Sequence, residues 1–98
     1  MSGDDCVSVH LTIRGRVQGV GYREWLRRQA VAQGLCGWVR NRRDGTVEAE
    51  LTGPAEAIDR VAATCRQGPA LAEVHAVEAA ACAAAEPVAA GFEIRPTR

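Results

Sequence analysis

The chain contains no lysine: all twelve of its fixed positive charges are arginines, and twelve carboxylates balance them. That skew is compatible with a GC-rich codon habit, and it also supplies guanidiniums, which grip anions with two donors at once. With no basic surplus, bulk binding to nucleic acid or to an anionic membrane is excluded, and any anion site must be local. Without lysine there is no phosphate loop of the GxxxxGK[ST] kind, and the dinucleotide pattern GxGxxG fails at Glu24. Cys6, Cys36, Cys65 and Cys82 include no CxxC pair, so the spacing of a metal site is missing. Four cysteines would suit two disulfides, but no signal-like apolar stretch opens the sequence, which favours reduced, buried thiols in a cytoplasmic protein. No apolar run approaches the roughly 20 residues of a membrane helix.

What is present fits one domain over residues 1–98, with residues 1–5 expected as a loose tail. An apolar content of 47% is enough for one core and not for two. Val7, Val9, Leu11 and Ile13 alternate with Ser8, His10, Thr12 and Arg14, which predicts a strand with one buried face. A glycine-rich stretch, GRVQGVGYR (15–23), leads into a helical pattern from Tyr22 that stops at Gly34. LCGWVRN, RRDG and TVEAELTG predict strand, tight turn and strand, with Asp44-Gly45 as the hairpin signal. Pro54 is expected in the first turn of a second helix, whose stripe of Ala57, Ile58, Val61, Ala62 and Cys65 ends at Gly68-Pro69. Residues 71–86 are divided. Alanine favours helix, whereas Val74, Ala76 and the need to complete a sheet favour a strand from about residue 72, which is the reading taken. Phe92 and Ile94 predict a short last strand.

The resulting order is βαββαβ plus a short fifth strand, an α+β ferredoxin-like sandwich with two helices on one face of an antiparallel sheet. In that topology the first two strands run parallel with the third between them, so their ends share a rim about 10 Å apart. Arg14 and the glycine loop lie at one point of that rim and Asn41 at the other. Glycines at 15, 19 and 21 allow backbone N–H groups to converge as an anion nest, and the helix beginning near Tyr22 adds its unpaired N–H groups and positive dipole end. Arg23 can fold back and fork onto a phosphate or carboxylate, and Asn41 offers a neutral amide beside the anion. The plain alternatives are a reversing loop with solvated arginines and an ordinary pre-turn asparagine.

GRVQGVGYR and GWVRNRRDGTVE together closely resemble the two signature motifs of the acylphosphatase family. The likeness extends over nearly the whole chain, since GP before the second helix and GFEIR near the end also look like that family. The resemblance implies a metal-free, cofactor-free hydrolase that splits acyl phosphates into carboxylate and phosphate. By motif position, Arg23 binds phosphate together with the loop Arg16, Val17, Gln18, Gly19, Val20, Gly21 and Tyr22, and Asn41 orients the attacking water. Tyr22 stands where the family often has phenylalanine, and its hydroxyl is placed at the pocket edge. The implied partners are a small acyl phosphate and inorganic phosphate as product and inhibitor, with no nucleic acid, no membrane and a monomeric chain.

Several residues have plainer expectations. Trp25 and Trp38 are expected in the core. His10 and His75 are expected at the solvated surface. Arg14, Arg16, Arg40, Arg42 and Arg43 form a positive rim balanced in part by solvated Glu48 and Glu50, and Glu24 points away from the anion. An RNA-recognition module shares the βαββαβ order, but TVEAEL puts acids where stacking rings belong. A non-catalytic anion sensor, or a carbamoyl-phosphate-type domain of a larger enzyme, is the remaining rival.

Overall fold

The computed structural model describes residues 6–83 and 91–98 of the 98-residue chain; the expected tail at 1–5 and part of the divided alanine-rich stretch lie outside them. The elements are β1 (Cys6–Arg16), α1 (Tyr22–Ala32), β2 (Cys36–Asn41), β3 (Val47–Pro54), α2 (Ala55–Cys65), β4 (Glu73–Cys82) and β5 (Phe92–Ile94). They form one five-stranded sheet in the order β4-β1-β3-β2-β5, the ferredoxin-like α+β sandwich expected. Four strands pair antiparallel, but β5 pairs parallel to β2, so the sheet is mixed rather than wholly antiparallel. Between Glu73 and Cys82 the strand reading prevails over helix, because this edge pairs with β1 along its length. Pro54 ends β3 and serves as the residue before α2, extended at φ −63°, ψ 138°, rather than entering the first turn.

The core follows the period-two alternation. Leu11 and Ile13 of β1, Val39 of β2, and Val47, Ala49 and Leu51 of β3 are fully buried on the helical side, against Leu26 and Ala30 of α1 and Ile58, Val61 and Cys65 of α2. Burial pushes the Cys65 thiol up to about 11, so that cysteine packs as a small apolar group. Cys36 and Cys82 are half-buried and Cys6 is exposed, so the expectation of buried thiols holds fully only for Cys65. Trp25 packs on the edge of the core, its ring edge-on to Tyr22 at 5.2 Å.

Trp38 is not in the core. It has the opposite phase to buried Val39 and lies on the helix-free face of the sheet, with the guanidiniums of Arg40 and Arg95 at 4.7 and 4.9 Å from its ring. The same face corrects the expectation of solvated carboxylates: Glu48 and Glu50 are each only 8% exposed. They sit on the central strand, where cross-strand neighbours on both sides cover them, Trp38 and Arg40 from β2 and His10 and Thr12 from β1. Glu48 accepts hydrogen bonds from Arg40 Nε at 2.7 Å and Arg42 Nη1 at 3.1 Å, and lies 2.6 Å from His10 Nε2. His10 is therefore half-buried and engaged, not solvated, whereas His75 is exposed as expected.

Candidate active site

Residues 17–21 connect β1 to α1, and their geometry follows from glycine. Gly19 and Gly21 take φ of +75° and +79°, a region costly for other residues, and Val20 between them does not share their positive φ. An alternation in the sign of φ is what an anion nest requires of its backbone. A Cβ on either glycine would meet no described atom within 4 Å, so both are required by conformation and not by packing. Gly15 differs. It lies inside β1, paired with Val74 at an irregularity in the β1–β4 ladder, where a Cβ would collide with the Glu73 carbonyl oxygen. The loop proper therefore has two glycines, not three.

Gly21 precedes α1 with no side chain to cap it, and the first intrahelical bond runs from Trp25 N–H to the Gly21 carbonyl at 3.1 Å. The amides of Tyr22, Arg23 and Glu24 are thus left without intrahelical acceptors, at the positive end of the helix dipole. The Gln18 side chain fixes the loop from below. Its amide donates to the Arg42 carbonyl at 2.6 Å and the Thr46 carbonyl at 2.9 Å, tying the loop to the β2–β3 hairpin next to Asn41. Nothing in the sequence pattern signals this clamp, which joins residues more than 20 positions apart.

A cleft of about 230 Å³ brings Val17, Gly19, Gly21, Tyr22 and Arg23 together with Asn41, and Glu24 and Ile94 complete its lining. Tyr22 is buried, and its hydroxyl does not stand at the pocket edge: it donates inward to the Cys65 carbonyl at 2.7 Å. Burial pushes its pKa far up, with the Cys65 contact adding to the shift, so it remains a neutral donor. Val20 packs against the core. Arg16 is exposed, 3.5 Å from Glu73, and its guanidinium is engaged on the side of β4. Ile94, in the short last strand, went unnoticed as a lining residue because only pairing of β5 with β2 carries it to this rim.

Ion pairing decides where the positive potential concentrates. Arg14 pairs with Glu78 at 3.3 Å, and Arg40 and Arg42 share Glu48, so most of the expected positive rim is engaged in ion pairs. Glu24 accepts from Arg27 at 2.7 Å and from Arg28 at 3.0 Å, one helical turn onward. Those bonds, Arg27's foremost, hold its carboxyl down to about 2 and occupy its charge. Arg23, half-buried in the cleft, pairs with no carboxylate among the described residues. Among them, too, no three His, Cys, Asp or Glu side chains are grouped as metal ligands, and no helix is long and apolar enough to cross a membrane.

The geometry defines a ferredoxin-like sandwich with a glycine loop, an uncapped helix start and a guanidinium in one cleft. The acylphosphatase family model matches residues 9–94. The acylphosphatase of Azorhizobium caulinodans is 52% identical over 90 residues, covering 92% of this chain and 96% of that protein. That of Nitrobacter hamburgensis is 54% identical over 95 residues, covering 95% and 89%. The solved structure of an acylphosphatase from Coxiella burnetii superposes with a TM-score of 0.87 at 31% identity, covering 93% of this chain and 94% of that one. The chain belongs to the acylphosphatase family of hydrolases.

Proposed function

We propose that this protein hydrolyses the carboxyl-phosphate bond of small acyl phosphates without a metal or cofactor. The loop amides from Arg16 to Tyr22 and the Arg23 guanidinium hold the phosphate, and Asn41 orients the attacking water. The observation that carries this reading is the meeting, in one cleft, of the Gly19–Gly21 loop, the uncapped start of α1 and Arg23 with Asn41.

The chemistry suits that set of groups. The water oxygen bonds to phosphorus as the bond to the carboxylate oxygen breaks, leaving a carboxylate and phosphate. A carboxylic acid has a pKa of about 4, so expelling its conjugate base needs little assistance, and positioning with charge stabilisation supplies most of the acceleration. A carboxylate base next to the phosphate would repel a dianionic substrate, whereas a neutral asparagine holds water without that cost. The phosphate itself takes up the water's proton. His10 is engaged with Glu48 on the helix-free face and His75 is exposed on β4, and neither is among the residues lining the cleft. A pH-rate profile governed by a group near pKa 6.5 that disappears with either histidine would overturn this route.

The test is hydrolysis of benzoyl phosphate in the presence of EDTA. Wild type is expected to turn it over, with inorganic phosphate inhibiting competitively. Arg23→Ala is expected to lose both phosphate affinity and turnover, because its contact serves ground state and transition state alike. Asn41→Ala is expected to lose mainly kcat, by roughly 2.7–4 kcal/mol of transition-state stabilisation, with a smaller change in KM. Unchanged hydrolysis in either variant removes the assignment, and phosphate binding without turnover in wild type supports a sensor instead.

A further inference from the structure

Beyond holding the phosphate, the cleft must meet the organic half of its substrate, and the structure assigns that contact to Ile94. We infer that Ile94 is a specificity-determining residue that favours acyl phosphates with an aromatic or bulky apolar acyl group over acetyl phosphate. This rests on the hydrolase reading above.

The apolar side chains lining the cleft are those of Val17, Tyr22 and Ile94. Val17 is 1% exposed and Tyr22 2%, so both are already spent on the core, whereas Ile94 is 41% exposed. Nearly all of the apolar surface that a ligand could cover in this cleft is therefore Ile94. Its exposure has a topological cause. On β5 it shares the phase of Phe92, which is buried among the core residues on the helical side. β5 runs parallel to β2, with Val39 beside Ile94, so Ile94 ends its strand at the same rim where β2 ends at Asn41. At that rim α1 is only beginning, and the side chain that would be covered one turn further along stands open beside the start of the helix. It is also held in place: Arg95 N–H donates to the Val39 carbonyl at 2.9 Å immediately after it. A rigid, β-branched apolar group at the mouth of a phosphate cleft gives an acyl chain a surface to lie on, and covering it removes apolar area from water. An acetyl group is too small to gain much there.

The test compares benzoyl phosphate and acetyl phosphate with wild type, Ile94→Ala, Ile94→Thr and Ile94→Leu. Thr keeps the β-branched shape and strand preference if Ala perturbs folding, and far-UV circular dichroism checks each variant. Ile94→Ala and Ile94→Thr are expected to raise KM for benzoyl phosphate on the order of fivefold. kcat, the acetyl phosphate constants and competitive inhibition by inorganic phosphate should stay within about twofold, and Ile94→Leu should resemble wild type. Equal changes for both substrates, or no change for benzoyl phosphate, would overturn the inference while leaving the hydrolase reading intact. Wild-type turnover of neither substrate would remove that reading and this one with it.

Discussion

Gly15 and Gly19 lie four positions apart and do different work. Gly15 is a close-approach glycine inside the β1–β4 ladder at φ +128°, and an added methyl would collide with the Glu73 carbonyl. Gly19 is a conformational glycine with open space around it, whose positive φ the proposed phosphate loop requires. Gly15→Ala is therefore expected to lower stability by roughly 2–3 kcal/mol, since backbone must move to admit the methyl. Gly19→Ala is expected to cost about 1–2 kcal/mol from the left-handed dihedral alone. It should weaken inhibition by inorganic phosphate far more than Gly15→Ala does. Urea unfolding and phosphate inhibition constants measured on the same two proteins separate the roles. The motif GRVQGVGYR marks all three glycines alike, because a sequence shows neither which one faces a neighbouring strand nor how close that strand comes.

The central strand β3 gives the helix-free face its electrostatic character. Burial by itself raises the Glu48 pKa, but hydrogen bonds from His10, Arg40 and Arg42 outweigh it and bring the carboxyl down to about 2. A carboxyl whose pKa is depressed by folding contributes stability that is present above its unfolded value and lost as pH falls through the folded one. The contribution of this cluster, which ties β1, β2 and the hairpin turn to β3, should fade between about pH 4.5 and pH 2. Glu48→Gln should be less stable than wild type at pH 6, and the gap between the two should close as pH is lowered through that window. Unfolding midpoints in urea at pH 6, 4 and 2.5 would test this, and a constant gap would refute it. The alternation in VEAEL predicts the phase of Glu48 and Glu50, but burial on an uncovered face depends on neighbours contributed by β1 and β2. The size of Trp38 suggests a core position, but its phase, opposite to buried Val39, assigns it to the other face.

For the whole molecule, the site exists because three strands end at one rim. β1 and β2 both run antiparallel to β3, and β5 runs parallel to β2, so the loop, Asn41 and Ile94 converge although about 75 residues separate the first from the last. Arg14, Arg16, Arg40 and Arg42 are engaged by carboxylates, and Arg23 is the arginine that lines the cleft. A ligand that binds only the folded state stabilises it by mass action. Inorganic phosphate at about 100 times its dissociation constant should therefore add about 2.7 kcal/mol, read as a rise in Tm. Arg23→Ala should show little of that rise at the same phosphate concentration. An equal rise in both proteins would place the phosphate elsewhere.

Periodicity, turn residues and helix stops lie within a few residues of one another along the chain, and so the sequence by itself determined the order of elements, the two-helix sandwich and the two motifs that resemble acylphosphatases. Tertiary structure alone decided the rest. It removed Gly15 from the loop, turned the Tyr22 hydroxyl into the core, set the Gln18 clamp against the hairpin, engaged four arginines in ion pairs and brought Ile94 to the cleft. These contacts depend on how strands pair and helices pack, and local pattern carries no record of either.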